Sequence, residues 1–143
     1  RIGTTDSIET TNDQELYTDP DEAKVFVDQT QLDALAVSVG TAHGQYLVKQ
    51  PTIDLSRLQA IRARTPVPLV LHGGSGVKQE YVIGAMKHGI ARINVATEIR
   101  QPYEAALKET GSLAKAQQAV YERTTWVLRD YLGIAGIRKR VTE

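Results

Sequence analysis

Two histidines in this sequence stand in the same setting, each after a short apolar run and directly before a glycine. His43 follows the run Leu32–Val39 in the motif Gly40-Thr-Ala-His-Gly44, and His72 follows the apolar residues 67–71. Both runs are typical of β-strands, and consecutive strand ends lie side by side in a parallel βα array. Paired imidazoles suit a first-row metal, and catalytic zinc keeps one coordination position open. We therefore predict that His43 and His72 share one divalent ion, with zinc the leading candidate.

The turn that follows His72 has a composition that suits an anion. Gly73, Gly74 and Gly76 allow positive φ and close approach of the backbone, and Ser75 adds a hydroxyl group. Successive N–H groups at the start of the next helix can then bind a phosphate beside the imidazole. Taken alone, the turn is equally typical of a plain connector between a strand and a helix, with a capping histidine.

The third histidine has a different setting. His88 lies at the end of a predicted helix and directly before Gly89. A polar side chain there satisfies the last carbonyl groups of the helix, so we expect a structural role for it.

Composition limits the class of protein. The chain has 143 residues, a formal net charge of zero, 41% hydrophobic residues and no cysteine. We expect a soluble cytoplasmic protein with no nucleic-acid or membrane partner, because bulk charge, long apolar runs and signal-peptide features are all missing. The lack of cysteine excludes disulfides and thiolate metal sites, so the metal ligands must be histidine or carboxylate.

Strands and helices alternate along the chain. We expect a mobile loop over residues 1–18, a helix capped by Asp19 and a second helix capped by Asp54. The strands are expected up to Val39, over residues 67–71 and over 91–95, and residues 99–143 should be mainly helical with breaks at glycine. A helix is also expected over Lys78–His88, with Val82, Ile83 and Met86 as its buried stripe. Three such βα units leave two sheet edges unprotected, so we infer that they belong to a larger body.

Three motifs, in this order and spacing, closely resemble the C-terminal half of class II ketose-bisphosphate aldolases. They are Gly40-Thr-Ala-His-Gly-Gln-Tyr46, Pro68-Leu-Val-Leu-His-Gly-Gly-Ser-Gly76 and Ile93-Asn-Val-Ala-Thr-Glu98. The resemblance implies an α/β fold, the C-terminal part of a (β/α)8 TIM barrel with about strands 6 to 8. The whole chain would be one portion of a single barrel domain, with βα units over 19–103 and a helical tail over 104–143.

The resemblance also implies roles for individual residues. His43 and His72 would be two of three zinc-binding histidines, and Asn94 would be catalytic through a hydrogen bond to the enediolate. The residues implied in binding substrate or its phosphates are Gly44, Gly73, Gly74, Ser75, Asn94, Ala96, Thr97 and Arg100. A monovalent cation near the phosphate site is also implied. The family's third histidine and its catalytic aspartate lie on earlier strands, outside this chain.

The implied reaction is the reversible cleavage of a ketose 1,6-bisphosphate, of tagatose or fructose type, to dihydroxyacetone phosphate and glyceraldehyde 3-phosphate. Zinc would stabilise the enediolate as a Lewis acid. No strand-end lysine suits the rival Schiff-base mechanism. The alternative function is a non-catalytic half barrel that binds a phosphosugar or is purely structural.

Three residues leave further questions open. Ala96 is the residue common in tagatose-type members, where fructose-preferring members commonly carry aspartate, although a small residue also suits strand packing. Asp6 and Glu9 lie where the family has a proton-shuttling carboxylate. Their loop departs from the family pattern, and the alternative is that both are solvated loop charges.

The resemblance implies two protein partners, the missing N-terminal half of the barrel and further copies of the enzyme. An apolar stripe in the tail suits either packing on the outer helices of the barrel or an oligomer contact. Its members are Ala114, Gln118, Tyr121, Thr125, Leu128 and Leu132, with Trp126 and Val127 beside them. We expect a homo-oligomer.

Overall fold

The computed structural model describes residues 17–41 and 51–136. The chain divides into two compact units, 1–96 and 97–143, and each is described by itself. The first contains a three-stranded parallel sheet in the order β1-β2-β3. Its elements are α1 (Pro20–Thr30), β1 (Leu35–Val37), α2 (Leu55–Arg64), β2 (Leu69–Leu71), α3 (Gln79–Lys87) and β3 (Ile90–Ile93). The predicted α/β class with a parallel sheet is confirmed.

Both predicted helix caps are present. Asp19 Oδ1 accepts hydrogen bonds from the backbone N–H groups of Asp21 and Glu22, at 2.8 and 3.0 Å. Asp54 Oδ1 accepts one from the N–H of Arg57 at 2.9 Å, so α2 begins where the sequence predicted. Each carboxylate satisfies N–H groups that have no partner inside the helix.

The sheet is covered on one face and open on the other. Alternate residues of β1 and β2 are buried, whereas Ala36 of β1 is exposed and Val70 of β2 is only half-buried. Because crossovers between parallel strands are right-handed in nearly all proteins, the strand order β1-β2-β3 puts α2 and α3 on the same side of the sheet. The buried side chains of these helices form the core with those strand residues. The core includes Leu35, Val37, Leu58, Ile61, Leu69, Leu71 and Val82. We call the side that carries Ala36 and Val70 the open face.

The buried stripe of α3 differs from the prediction. Val82 is fully buried, but Ile83 and Met86 are 39% and 38% exposed, so the prediction was wrong for those two. Ala85 takes the second buried position instead. Val82 and Ala85 lie three residues apart on the helix surface, and packing through that pair turns Ile83 and Met86 towards the flank.

The second unit is helical. It contains α4 (Thr97–Thr110), α5 (Leu113–Trp126) and a π-helical turn, η1 (Val127–Tyr131). Gly111 has φ +64° between α4 and α5, so the break predicted there is confirmed. The predicted apolar stripe is largely exposed, with Tyr121 at 67% and Leu128 at 44%. Within the described residues, no helix has the length and apolar character to span a membrane.

An aromatic and ionic stack joins the elements of the second unit. The rings of Trp126 and Tyr131 stack with centroids 5.6 Å apart. The guanidinium of Arg123 lies 4.0 Å from the Trp126 ring centroid, and it also pairs with Glu98 in the first turn of α4. This stack holds η1 and α5 against the start of α4.

Replacing the cap residue of α2 tests how this helix is anchored. We expect Asp54→Ala to lower the free energy of unfolding by about 1 kcal/mol at neutral pH. Hydrogen bonds from the Ser56 hydroxyl and the Arg57 N–H lower the pKa of Asp54. A carboxyl whose pKa is lowered by folding stabilises above its unfolded pKa, about 4, and loses that effect as the pH falls through the folded value.

Thermal denaturation at several pH values measures how much less stable Asp54→Ala is than the unchanged protein. The deficit of Asp54→Ala should be full at pH 7 and should shrink below about pH 4. Ser56→Ala is the matched control, because it removes the hydroxyl at 2.6 Å but keeps the N–H cap, and its deficit should be smaller. A deficit that is the same at pH 7 and pH 3 would contradict the ionic cap.

Candidate active site

His72 and Asn94 lie next to each other at the carboxyl edge of the sheet. His72 directly follows β2, and Asn94 directly follows β3. The N–H of Asn94 donates to the carbonyl of Leu71 at 2.9 Å, and its carbonyl accepts from the N–H of Gly74 at 3.0 Å. The two strand ends are thus held side by side by backbone bonds. Ligands of parallel α/β sheets bind at this edge.

An irregularity in β3 decides which way Asn94 faces. Leu69 pairs with Ile90, but Val70 pairs with Arg92, so Ala91 is an extra residue in β3. Residues paired in register point to the same side of a sheet, and an added residue re-aims every side chain after it. Arg92 therefore lies on the open face with Val70, and Asn94 lies on that face beside His72. Without the extra residue, Ile93 would take the place beside His72.

The amide of Asn94 contacts the ring of His72. Asn94 Nδ2 is 3.3 Å from both Nδ1 and Nε2 of the imidazole. A point in the ring plane at this distance from both nitrogens would overlap Cε1 or the Cγ–Cδ2 bond, so the amide nitrogen lies over the ring face. On its other side, Asn94 Oδ1 accepts a hydrogen bond from Arg92 Nε at 3.0 Å.

Thr41 joins the end of β1 to the end of β2. Its hydroxyl donates to the carbonyl of His72 at 2.6 Å. The backbone two residues before His43 is therefore next to His72. His43 and Gly44 themselves lie outside the described residues, so the shared metal site stays a prediction.

The chain before Thr41 is supported by a tyrosine that the sequence did not single out. Gly40 has φ +109°, and a Cβ atom there would lie 2.5 Å from the carbonyl oxygen of Thr52 and 2.9 Å from Tyr17 Oη. The guanidinium of Arg57 lies 5.7 Å from the Tyr17 ring centroid. Burial and the Asp54 carboxylate raise the pKa of Tyr17, and Arg57 opposes this. The phenol therefore stays neutral and packs against the backbone at Gly40.

The glycine-rich turn has the predicted backbone freedom. Gly73 and Gly76 have φ of +70° and +74°, so these two use the positive φ that glycine allows. Gly74 is needed for space instead, because a Cβ atom there would lie 2.6 Å from Ile93 Cγ2 and 3.2 Å from the carbonyl oxygen of Asn94. Ser75 is buried within the turn. Whether these residues bind phosphate stays a prediction.

His88 has the structural role that the sequence predicted. It caps the C-terminus of α3, and its Nδ1 is 2.7 Å from the carbonyl oxygen of Gly84. The carbonyl accepts, so Nδ1 carries the proton. The hydrogen bond of this side chain therefore stabilises the end of α3.

The remaining predicted site residues are not tested by these contacts. Ala96 ends the first unit, and Thr97 and Arg100 belong to the second, where Arg100 pairs with Glu104 at 3.2 Å. Asp6 and Glu9 lie outside the described residues.

The donor chemistry of the site suits zinc. His72 presents an imidazole at the carboxyl end of a strand in a parallel sheet, and imidazole is a ligand type typical of catalytic zinc. Among residues 17–41 and 51–136, no group of three or more His, Cys, Asp or Glu residues gathers as a metal site. A complete set would therefore need His43 and ligands from beyond the described ranges.

The sequence as a whole matches one family. The family model for fructose-bisphosphate aldolase class-II matches residues 1–143. This chain belongs to the class II fructose-bisphosphate aldolase family. The resemblance to the C-terminal half of these enzymes is confirmed.

Solved structures of aldolases are also similar to this chain. The YdjI aldolase from Escherichia coli K12 is 36% identical, with a TM-score of 0.71 over 80% of this chain and 46% of its own. A candidate fructose-1,6-bisphosphate aldolase from Coccidioides immitis is 28% identical, with a TM-score of 0.70 over 84% and 44%. The fructose-bisphosphate aldolase of Campylobacter jejuni, at 16% identity, shares the fold with a TM-score of 0.64 over 82% and 45%. The chain thus spans less than half the length of these aldolases.

Replacing Gly74 tests the close approach between the two strand ends. We expect Gly74→Ala to push β2 and β3 apart at their carboxyl edge, because the new methyl group would overlap Ile93. In a protein that combines this chain with a segment equivalent to the unmatched part of its relatives, the aldolase rate expected from the family should fall at least tenfold, since misplacement by about an ångström costs this much or more.

Gly111→Ala serves as the control for Gly74→Ala. It also carries a backbone cost, because Gly111 has φ +64°, but nothing lies within 4 Å of the added methyl group. Its melting temperature should fall while its cleavage rate per folded enzyme is kept. Equal cleavage rates for the two variants would contradict the role given to Gly74.

Proposed function

We propose that this chain is the C-terminal half of a metal-dependent aldolase that reversibly cleaves a ketose 1,6-bisphosphate to dihydroxyacetone phosphate and glyceraldehyde 3-phosphate. The observation that carries the proposal is the pair His72 and Asn94, held side by side on the open face at the carboxyl edge of the sheet. Family membership supports the class of reaction.

The open face is taken to be the interior of a TIM barrel, in which β1, β2 and β3 are about strands 6 to 8. Helices cover only one side of the described sheet, and Ala36 and Arg92 are exposed on the other. Closing a barrel would bury that side and remove both sheet edges. A segment equivalent to the unmatched part of the relatives would supply the third histidine and the catalytic aspartate. We call this combination the complete enzyme.

The residues of this chain would bind the metal and the substrate, and would stabilise the negative charge that develops on the substrate. His72 and His43 would hold zinc, which when bound acts as a Lewis acid on the substrate oxygens. The NH2 group of Asn94 would donate to the oxygen on which negative charge develops as the carbon–carbon bond breaks. Gly44, Gly73, Gly74 and Ser75 would bind a phosphate through the turn.

Other roles rest on the sequence motif alone. Ala96 and Thr97 would complete the phosphate pocket, Arg100 would bind the distal phosphate, and a monovalent cation would lie near the phosphate site. A homo-oligomer is supported by a separate observation, the exposed apolar side chains of the second unit, which include Tyr121 and Leu128. A cytoplasmic location stays a prediction.

The test uses the complete enzyme and three histidine and asparagine variants. His72→Ala should lower zinc affinity by more than the 10–100-fold typical of outer-shell changes, and should abolish cleavage. Asn94→Ala should keep zinc and lower kcat by about 100–1,000-fold, as loss of one oxyanion donor does. His88→Gln, which keeps a side-chain donor near Gly84, is the control and should change neither.

Metal analysis, cleavage rates and phosphosugar titration read out the result. A complete enzyme that binds ketose bisphosphate but neither binds zinc nor cleaves the sugar would contradict the proposal. It would favour the non-catalytic phosphosugar-binding half barrel.

Substrate preference gives a second prediction. Because Ala96 lacks the carboxylate that could accept a hydrogen bond from a substrate hydroxyl, selectivity between tagatose and fructose bisphosphate should be modest. Ala96→Asp should shift kcat/KM towards fructose bisphosphate, and Ala105→Asp at an exposed position of α4 should not. A preference of the unchanged enzyme for fructose bisphosphate of about a hundredfold, near 2.7 kcal/mol, would contradict the assignment.

A further inference from the structure

We propose that Arg92 is a positioning residue that fixes which end of the Asn94 side-chain amide faces the site. This inference rests on the proposed aldolase function, because it concerns how Asn94 would serve the reaction. We expect Arg92 itself to contact neither the ring of His72 nor the substrate. It acts through Asn94.

The chemistry of the two side chains determines the orientation. A guanidinium group can only donate hydrogen bonds, whereas an amide has an accepting oxygen and a donating NH2 group. Arg92 Nε lies 3.0 Å from one end of the amide, so that end must be Oδ1. The NH2 group is then the end over the His72 ring, 3.3 Å from both ring nitrogens. The reverse orientation would set N–H against N–H and bring a carbonyl oxygen onto the electron-rich ring face.

The bulge in β3 makes this contact possible. Arg92 and Asn94 are two residues apart on an extended strand and so lie on the same side of it. Because Ala91 is the extra residue, that side is the open face that carries Val70 and His72. The same irregularity therefore puts both Asn94 and Arg92 on the open face, where Arg92 can donate to the Asn94 amide.

Arg92 is expected to act in two ways. It prevents the amide from turning over and presenting its oxygen to a substrate that carries developing negative charge. A charged donor on Oδ1 also polarises the amide, which strengthens the N–H donors at its other end. Both effects matter most in the transition state, so loss of Arg92 should lower kcat more than it raises KM.

A double-mutant cycle in the complete enzyme tests the inference. Arg92→Met should lower kcat about tenfold to a hundredfold, the range expected for a hydrogen bond from a charged group. Arg92→Lys keeps a cationic donor and should restore part of the rate. In the Asn94→Ala background, Arg92→Met should cause little further loss, because its partner is already gone. Arg64→Met removes an exposed arginine that pairs with Asp21 and should leave the rate unchanged.

A spectroscopic signal separates positioning from general stability. The side-chain amide resonances of Asn94, assigned by their loss in Asn94→Ala, should shift and broaden in Arg92→Met and recover in Arg92→Lys. Unchanged amide resonances in Arg92→Met would overturn the inference. So would an equal loss of kcat with and without Asn94, which would show that Arg92 acts independently.

The proposed function and this inference fail in different ways. If Asn94→Ala cleaves as fast as the unchanged enzyme, the role given to Asn94 in the reaction is wrong, and the amide resonances still report on the Arg92 contact. If Asn94→Ala is slow but Arg92→Met is not, the aldolase proposal stands and the inference about Arg92 is overturned.

Discussion

The register between β2 and β3 is the constraint on which the candidate site depends. Backbone bonds from Asn94 to Leu71 and from Gly74 to Asn94 hold the two strand ends together. Within that pairing, the extra residue Ala91 decides that Asn94 faces the same side as His72. An apolar Ile93 would otherwise occupy the position beside the imidazole. A single added residue therefore determines the chemistry at this edge, since every side chain beyond it changes face.

At the same edge, glycine residues and a side-chain contact from the end of β1 allow the backbone segments that follow the strands to lie close together. Gly74 leaves no room for a methyl group beside Ile93, and Gly40 leaves none between Tyr17 and the Thr52 carbonyl. The Thr41 hydroxyl holds the first strand end to the carbonyl of His72. These contacts fix the backbone from which the candidate ligands extend. Side chains that hold a metal or an anion need such support, because small displacements weaken every bond they make.

Local sequence signals predicted the helix caps, the alternation of strands and helices, and the position of His72 directly after a strand. Asp19 and Asp54 are caps by their own chemistry, and the motif around His72 combines an apolar run with turn glycines, so both could be recognised without a structure. The bulge at Ala91 and the contact of Arg92 with Asn94 could not, because register depends on the neighbouring strand. Ile83 and Met86 were predicted as buried because apolar spacing alone does not determine how α3 is rotated against the sheet.

We propose from these observations that the open face of this sheet lines a zinc-dependent active site. The most direct measurement is the anomalous diffraction of zinc in crystals of the complete enzyme. We expect a zinc peak on the open face at about 2.0–2.1 Å from a ring nitrogen of His72, with His43 as a second ligand. A zinc ion bound elsewhere in the enzyme, with His72 ligating no metal, would contradict it.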